Sequence, residues 1–232
     1  MTLLRRECGL NEDSIIADIG SGTGILTEQF LKLGNKVIGV EPNGSMRAAA
    51  EDLLKNQERF VSVDGSAEQT GLAAENVDFV TAAQAFHWFK PSIAREEFVR
   101  ILKPDGWAVL IWNQRRLDFT PFLRDYEELL LQYGTDYKEV RHENVTGAIT
   151  EFFAPQQTHF AAFDNVQEFD FEGLLGRVRS ASYTPEPGDL SFESMLGELR
   201  EIFERHVKNG RVAFEYDTLV YYGHLRSKGG KV

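Results

Sequence analysis

One cysteine, Cys8, stands in a chain of 232 residues. No intramolecular disulfide can therefore staple the fold, and such usage suits a reducing compartment. No apolar run approaches the roughly 20 residues of a membrane-spanning helix, and the first residues carry no apolar core of a secretory signal. Cytoplasmic residence without a membrane partner is the expectation. Basic side chains are also scarce: 25 Lys and Arg face 36 Asp and Glu, a net charge of −11. Arg115-Arg116 is only a pair and no basic stripe exists, so a nucleic-acid partner, which needs a cationic surface, is not expected. The histidines His142, His159, His206 and His224 fall at no metal-ligand spacing, so no metal site is expected.

What the chain does have is a regular alternation of strand and helix patterns through its first half. Strands are predicted at Ser14–Ile19, Lys36–Val40, Phe60–Val63, Val77–Ala82 and Trp107–Trp112, with helices at Ile25–Leu33, Gly44–Lys55 and Ile93–Leu102 between them. That order implies an α/β domain with a mostly parallel sheet and helices on both faces. Lys103-Pro104-Asp105-Gly106 reads as a turn into the fifth strand. Beyond Asn113 the rhythm changes. Thr120–Tyr133 reads as a helix, Gly134–Thr146 as polar and irregular, and Gln157–Phe171 as alternating or aromatic strand-like runs around an Asp164-Asn165 turn. Glu172–Ser182 reads as a helix that stops before Pro185-Glu186-Pro187-Gly188. From Phe192 to Val207 the apolar residues keep 3/4 spacing, an amphipathic core helix ended by Asn209-Gly210. Arg211–Leu225 then alternates as a last strand. Leu3, Leu4 and Leu10 about Arg5-Arg6-Glu7 look like the tail end of a helix.

The most informative segment is Ile15 to Gly24. A short apolar strand runs into Gly20-Ser21-Gly22-Thr23-Gly24, and a helix opens at Ile25. Glycines there let backbone approach a ligand with no Cβ in the way. Glu41, at the end of the next strand, stands where an acid bonds ribose hydroxyls in nucleotide-binding α/β folds. Dinucleotide folds place a third glycine where this chain has Ile25, and a phosphate loop needs a lysine that is missing after Gly24. Asp18 before the loop suits a cationic ligand rather than a pyrophosphate. S-adenosylmethionine satisfies these conditions, being an adenosine with an ammonium, a sulfonium and no phosphate.

The run Ala17-Asp18-Ile19-Gly20-Ser21-Gly22-Thr23-Gly24, taken with Glu41, resembles the first motif of the Rossmann-like, class I S-adenosylmethionine-dependent methyltransferases of small-molecule type. The resemblance is specific from Ile15 to about Asn113. It implies a single domain over residues 1–232 with a seven-stranded, mostly parallel sheet whose last strand is antiparallel. Residues 1–113 would hold the cofactor, and 114–232 would carry a helical lid at about 171–210. It implies further that Asp18, Gly20, Ser21, Gly22 and Gly24 shape the methionine pocket and that Glu41 takes the ribose. Asp64, Gly65, Ala67 and Glu68 would border adenine, with Gln84 against the methionine part. A simple turn at Asp64 is the plainer reading of that segment.

Gln84-Ala85-Phe86-His87-Trp88 would face the acceptor. His87 reads either as a base for an acceptor that must lose a proton or as a cap of the next helix, with Trp88 packed beneath the loop. Similar His-Trp segments occur in members resembling the trans-aconitate and juvenile-hormone-acid type, which points to a carboxylate acceptor framed by Trp88. Arg177, Arg179, Ser182 and Tyr183 in the lid would close over an anionic substrate, or form a solvated helix face. Two other classes stay open: a non-catalytic module that binds S-adenosylmethionine or a partner protein, and an NAD-type oxidoreductase, which Ile25 disfavours. The sequence indicates no oligomeric state.

Overall fold

The computed structural model describes residues 1–135, 137, 145–181, 183–185 and 188–227. Among them the elements run α1 (Thr2–Cys8), β1 (Ile15–Ile19), α2 (Ile25–Lys32), β2 (Lys36–Val40), α3 (Gly44–Leu53), β3 (Phe60–Val63) and β4 (Val77–Ala83). After a 3₁₀ turn at Phe86–Trp88 come α4 (Pro91–Ile101), β5 (Leu102–Arg115), α5 (Pro121–Tyr133), α6 (Val145–Phe153) and β6 (His159–Phe169). The chain then closes with α7 (Phe171–Arg179), α8 (Leu190–His206) and β7 (Val212–Gly223). The seven strands form one sheet in the order β3-β2-β1-β4-β5-β7-β6.

The first five strands are parallel, with Asp18 of β1 level with Gly39 of β2 and Thr81 of β4. Strand β7 runs the other way. As β5 advances from Asn113 to Arg116, its partners on β7 step back from Thr218 to Glu215. Strand β6 is antiparallel to β7 by the same sign, Asn165 meeting Thr218 and Phe169 meeting Phe214. The expected fold class therefore holds, including the antiparallel strand.

Several boundaries and two turns differ from the sequence expectation. Strand β5 starts at Leu102, because Leu102 pairs with Val77 before Trp107 pairs with Phe79. Lys103–Gly106 thus forms a bulge within the strand instead of a turn before it. No turn forms at Asp164-Asn165, and β6 runs straight through both residues. Asn165 is held there by its side-chain bond to the Thr218 hydroxyl at 3.1 Å, so a cross-strand partner replaces the local bond that favours a turn. Helix α6 had no counterpart in the sequence reading.

The chain divides into two compact units, the first comprising residues 1–112, 145–161 and 219–232, the second residues 113–144 and 162–218. In the first unit, strand alternation sends two sets of side chains to opposite faces of the sheet. Ile16, Val37, Phe79 and Val109 pack with Phe30 and Leu31 of α2 and Leu3 and Leu4 of α1. Ala17, Ile19, Val40, Val80 and Leu110 pack with Phe98 and Ile101 of α4 and Phe152 and Phe153 of α6. The second unit has its own core, built from Phe122, Tyr126, Leu129 and Leu130 of α5, Leu174 and Val178 of α7, Met195, Leu199 and Ile202 of α8, and Phe214 of β7. Those helical residues recur at three and four positions, one apolar stripe per helix.

Candidate functional site

The glycine turn follows β1 directly. Gly20, Gly22 and Gly24 all have positive φ, at 66°, 56° and 85°, which disfavours any other residue there. They differ in what surrounds them. A Cβ on Gly20 would stand 2.6 Å from the Ala85 Cβ, and one on Gly24 would stand 2.9 Å from Leu54 Cδ1. A Cβ on Gly22 would meet nothing within 4 Å. Gly20 and Gly24 are thus glycines for internal packing, and Gly22 presents open backbone.

The amides of the turn are spent internally. Gly20 N–H and Ser21 N–H donate to the Val40 carbonyl, and Gly24 N–H donates to that of Ser21. Gly22 N–H donates to Glu41 Oε2 at 2.9 Å, while Asn43 N–H donates to Glu41 Oε1 at 2.8 Å. Glu41 therefore bridges the turn and the start of α3. Such a turn offers little to a phosphate, which needs converging free N–H groups.

Asp18 lies beneath the turn and is 1% exposed. Its carboxylate accepts from Thr27 Oγ1 at 2.7 Å and Thr81 Oγ1 at 3.1 Å. Burial pushes its pKa up to about 6, against the lowering influence of the two hydroxyls. Asp18 thus joins β1 to α2 and β4. Sequence reasoning missed Thr27 and Thr81; the available signal was a single hydroxyl within each otherwise apolar stretch.

After β3, Asp64 is exposed and pairs with Arg47 Nη2 at 3.1 Å, and Arg47 Nη1 donates to the Glu41 carbonyl at 2.8 Å. Arg47 was also missed, although it is the cation of the helix that follows Glu41. Gly65 sits in a close turn where a Cβ would meet the Thr70 carbonyl oxygen at 2.9 Å. Ala67 is buried. Glu68 accepts from Lys90 N–H at 2.7 Å. Burial works to raise its pKa, but the bonds from Lys90 and Ser66 outweigh that and hold the carboxyl below its ordinary value.

At the end of β4, Gln84 adopts φ 54° and its N–H donates to the Ile111 carbonyl. His87 and Trp88 are exposed on the 3₁₀ turn, Trp88 at 77%. The His87 ring lies 4.7 Å from that of Trp88 and 5.3 Å from that of Trp112. Lys90 occupies the N-cap of α4, which has no side-chain cap, so His87 does not cap that helix. Trp88 is not packed beneath the loop either. Phe89 takes that place, its ring 3.7 Å from the position of a Gly20 Cβ.

The lid residues fall in the second unit. Arg177 does not lie on a solvated face, since its guanidinium sits 5.0 Å from the Phe214 ring and 5.5 Å from the Tyr216 ring. Arg179 is exposed. The Tyr183 ring is 5.0 Å from that of Tyr137, and its carbonyl accepts from Thr135 N–H. Ser182, His142 and the Glu186-Pro187 pair lie outside the described residues. Among the described residues no helix is long and apolar enough to cross a membrane.

Sheet order and glycine turn together define a Rossmann-like fold whose turn, its amides bonded internally, is not a phosphate loop. Residues 17–110 match the family model described as a methyltransferase domain. An uncharacterized methyltransferase-like protein of Schizosaccharomyces pombe is 37% identical over 222 residues, covering 91% of this chain and 82% of that protein. An uncharacterized methyltransferase of Mycobacterium tuberculosis is 33% identical over 192 residues, covering 82% and 74%. Among solved structures, the YcgJ protein of Bacillus subtilis aligns with a TM-score of 0.59 at 19% identity, covering 95% of each chain. A SAM-dependent methyltransferase of Aquifex aeolicus aligns at 0.52 and 18%, covering 92% and 86%. The chain belongs to the class I S-adenosylmethionine-dependent methyltransferases.

Proposed function

We propose that this chain transfers the methyl group of S-adenosylmethionine to a carboxylate of a small molecule in the cytoplasm. The donor half of that reading is carried by Glu41. Its two oxygens fix the amides of Gly22 and Asn43 and keep lone pairs for the ribose hydroxyls. Gly20, Ser21, Gly22 and Gly24 form the floor for the methionine part, and the open backbone at Gly22 gives the donor room. The Gly20 and Gly22 carbonyls accept none of the turn's own bonds, so the turn suits an ammonium better than an anion. Asp18 holds the turn from below through Thr27 and Thr81. Asp64, Gly65, Ala67 and Glu68 border the adenine, and Gln84 lies along the methionine side.

Bound S-adenosylmethionine supplies a methyl group on a sulfonium, open to in-line displacement. The protein's part is alignment and exclusion of water. A carboxylate is already ionised at neutral pH and needs no base. His87 then serves as a hydrogen-bond donor to the acceptor, with Trp88 beside it as a flat apolar wall. The acidic surface leaves nucleic acid no role as substrate. Cys8 is a structural thiol, since burial, helped by the Glu7 charge, pushes its pKa up to about 12.

The test is incubation with methyl-labelled donor and a panel of carboxylic acids, amines and phenols. Label that enters an acid and is released as methanol by mild alkali is expected, together with S-adenosylhomocysteine. Label confined to amines or phenols defeats the carboxylate reading, and no transfer across the panel leaves a donor-binding module.

A further inference from the structure

Within the second unit one buried acceptor, Glu215 Oε2, and three buried donors have no hydrogen-bond partner among the described residues; the donors are Arg115 Nη1, Arg177 Nε and Tyr216 Oη. A buried donor left unmade costs about 1–3 kcal/mol, so three together call for a ligand. They belong to one aromatic stack. The Arg115 guanidinium lies 5.0 Å from the Tyr126 ring, which meets the Phe214 ring at 4.9 Å. Phe214 stacks on Tyr216 at 6.3 Å, and the Arg177 guanidinium covers both. Both cations act on the Tyr126 and Tyr216 phenols, although burial dominates and raises the two pKa values.

The charges do not cancel. Arg115 is compensated, its Nη2 donating to Glu127 Oε2 at 2.5 Å and to Tyr137 Oη at 2.7 Å. Among the described residues no carboxylate pairs with Arg177. Glu215 precedes Tyr216 on β7, and its side chain therefore points to the other face of the strand. One positive charge remains, with cationic N–H donors and a phenol hydroxyl beside it.

We propose that Arg115, Arg177 and Tyr216 form a binding site for a carboxylate of a small organic acid. A guanidinium edge matches the two oxygens of a planar carboxylate. A single uncompensated charge suits a monoanionic group and would leave a dianionic phosphate half neutralised. The site goes beyond the proposed function and stands without it: an organic acid held there need not be the methyl acceptor.

Calorimetric titration of the full chain without methyl donor tests it, using succinate and hexanoate, each against its amide, and inorganic phosphate. The acids should bind at least about tenfold more tightly than their amides or phosphate, a difference of roughly 1.4 kcal/mol. Arg177→Gln should remove that preference and Arg177→Lys should restore part of it, with S-adenosylhomocysteine affinity unchanged in both as proof of folding. Equal binding of acid and amide overturns the site, as does an Arg177→Gln chain that binds acids like the wild type. Arg177-dependent acid binding with no methyl transfer to any acid supports the site and overturns the acceptor reading.

Discussion

At the residue scale the donor side of the molecule depends on two carboxylates with opposite habits. Asp18 is buried and fully occupied by hydroxyls. With a folded pKa of about 6 against 3.8 for a free aspartate side chain, it binds its proton more tightly in the folded chain. Its contribution is greatest below pH 4 and is lost as pH rises through about 6. Asp18→Asn should flatten the fall of unfolding free energy between pH 4 and 7 in urea titrations, a change on the order of 2–3 kcal/mol across the window. An unchanged slope in the variant would show that Asp18 does not titrate there. Glu41 instead bonds two backbone amides. In Glu41→Gln the amide NH₂ must face one of those N–H groups, so one bond is lost. Donor affinity should fall about tenfold or more, with a stability loss of about 1 kcal/mol, checked by calorimetry and thermal melting.

The acids at 18 and 41 were legible in the sequence, because their places relative to the glycines are fixed by the strand–turn–helix path. Their partners were not. Thr27, Thr81 and Arg47 come from elements that meet only after folding, and a threonine in an apolar strand gives no sign of the carboxylate it faces.

At the element scale the glycine turn separates folding from binding. Gly20→Ala would drive a Cβ to 2.6 Å from that of Ala85, in a backbone region that itself disfavours alanine. A loss of about 2–4 kcal/mol in stability is expected. Gly22→Ala meets open space, so only the backbone penalty of about 1 kcal/mol applies. Its methyl group would occupy room the donor needs, and donor affinity should fall well beyond the stability loss. Calorimetry and melting of the two variants side by side check this. A Gly22→Ala chain that binds the donor normally would move the donor off the turn.

Elements with a strong local period were read from sequence within one or two residues, as with β2 and the start of α3. The Lys103–Gly106 bulge and the straight β6 were misread. In both places local turn chemistry was overridden by pairing with a strand distant in sequence, Val77 with Leu102 and Asn165 with Thr218.

For the whole molecule, the first unit gathers the sheet strands β1 to β4, the glycine turn and the His87–Trp88 pair, and the second gathers Arg115, Arg177, Tyr126 and Tyr216. This partition was not legible, since the chain crosses between units along continuous strands and no linker composition marks a boundary. The net charge of −11 was legible and leads to a plain expectation. Duplex DNA should show no mobility shift with the protein at about 0.15 M salt, where a cationic surface would be required to hold it.

On the proposed reading the turn at Gly20–Gly24, with Glu41, holds S-adenosylmethionine. Calorimetric titration of the full chain with S-adenosylmethionine and, separately, with NAD tests it most directly. Saturable binding of S-adenosylmethionine that weakens about tenfold or more in Glu41→Gln, with no heat from NAD, is the predicted result. Binding of NAD with none of S-adenosylmethionine would contradict the account.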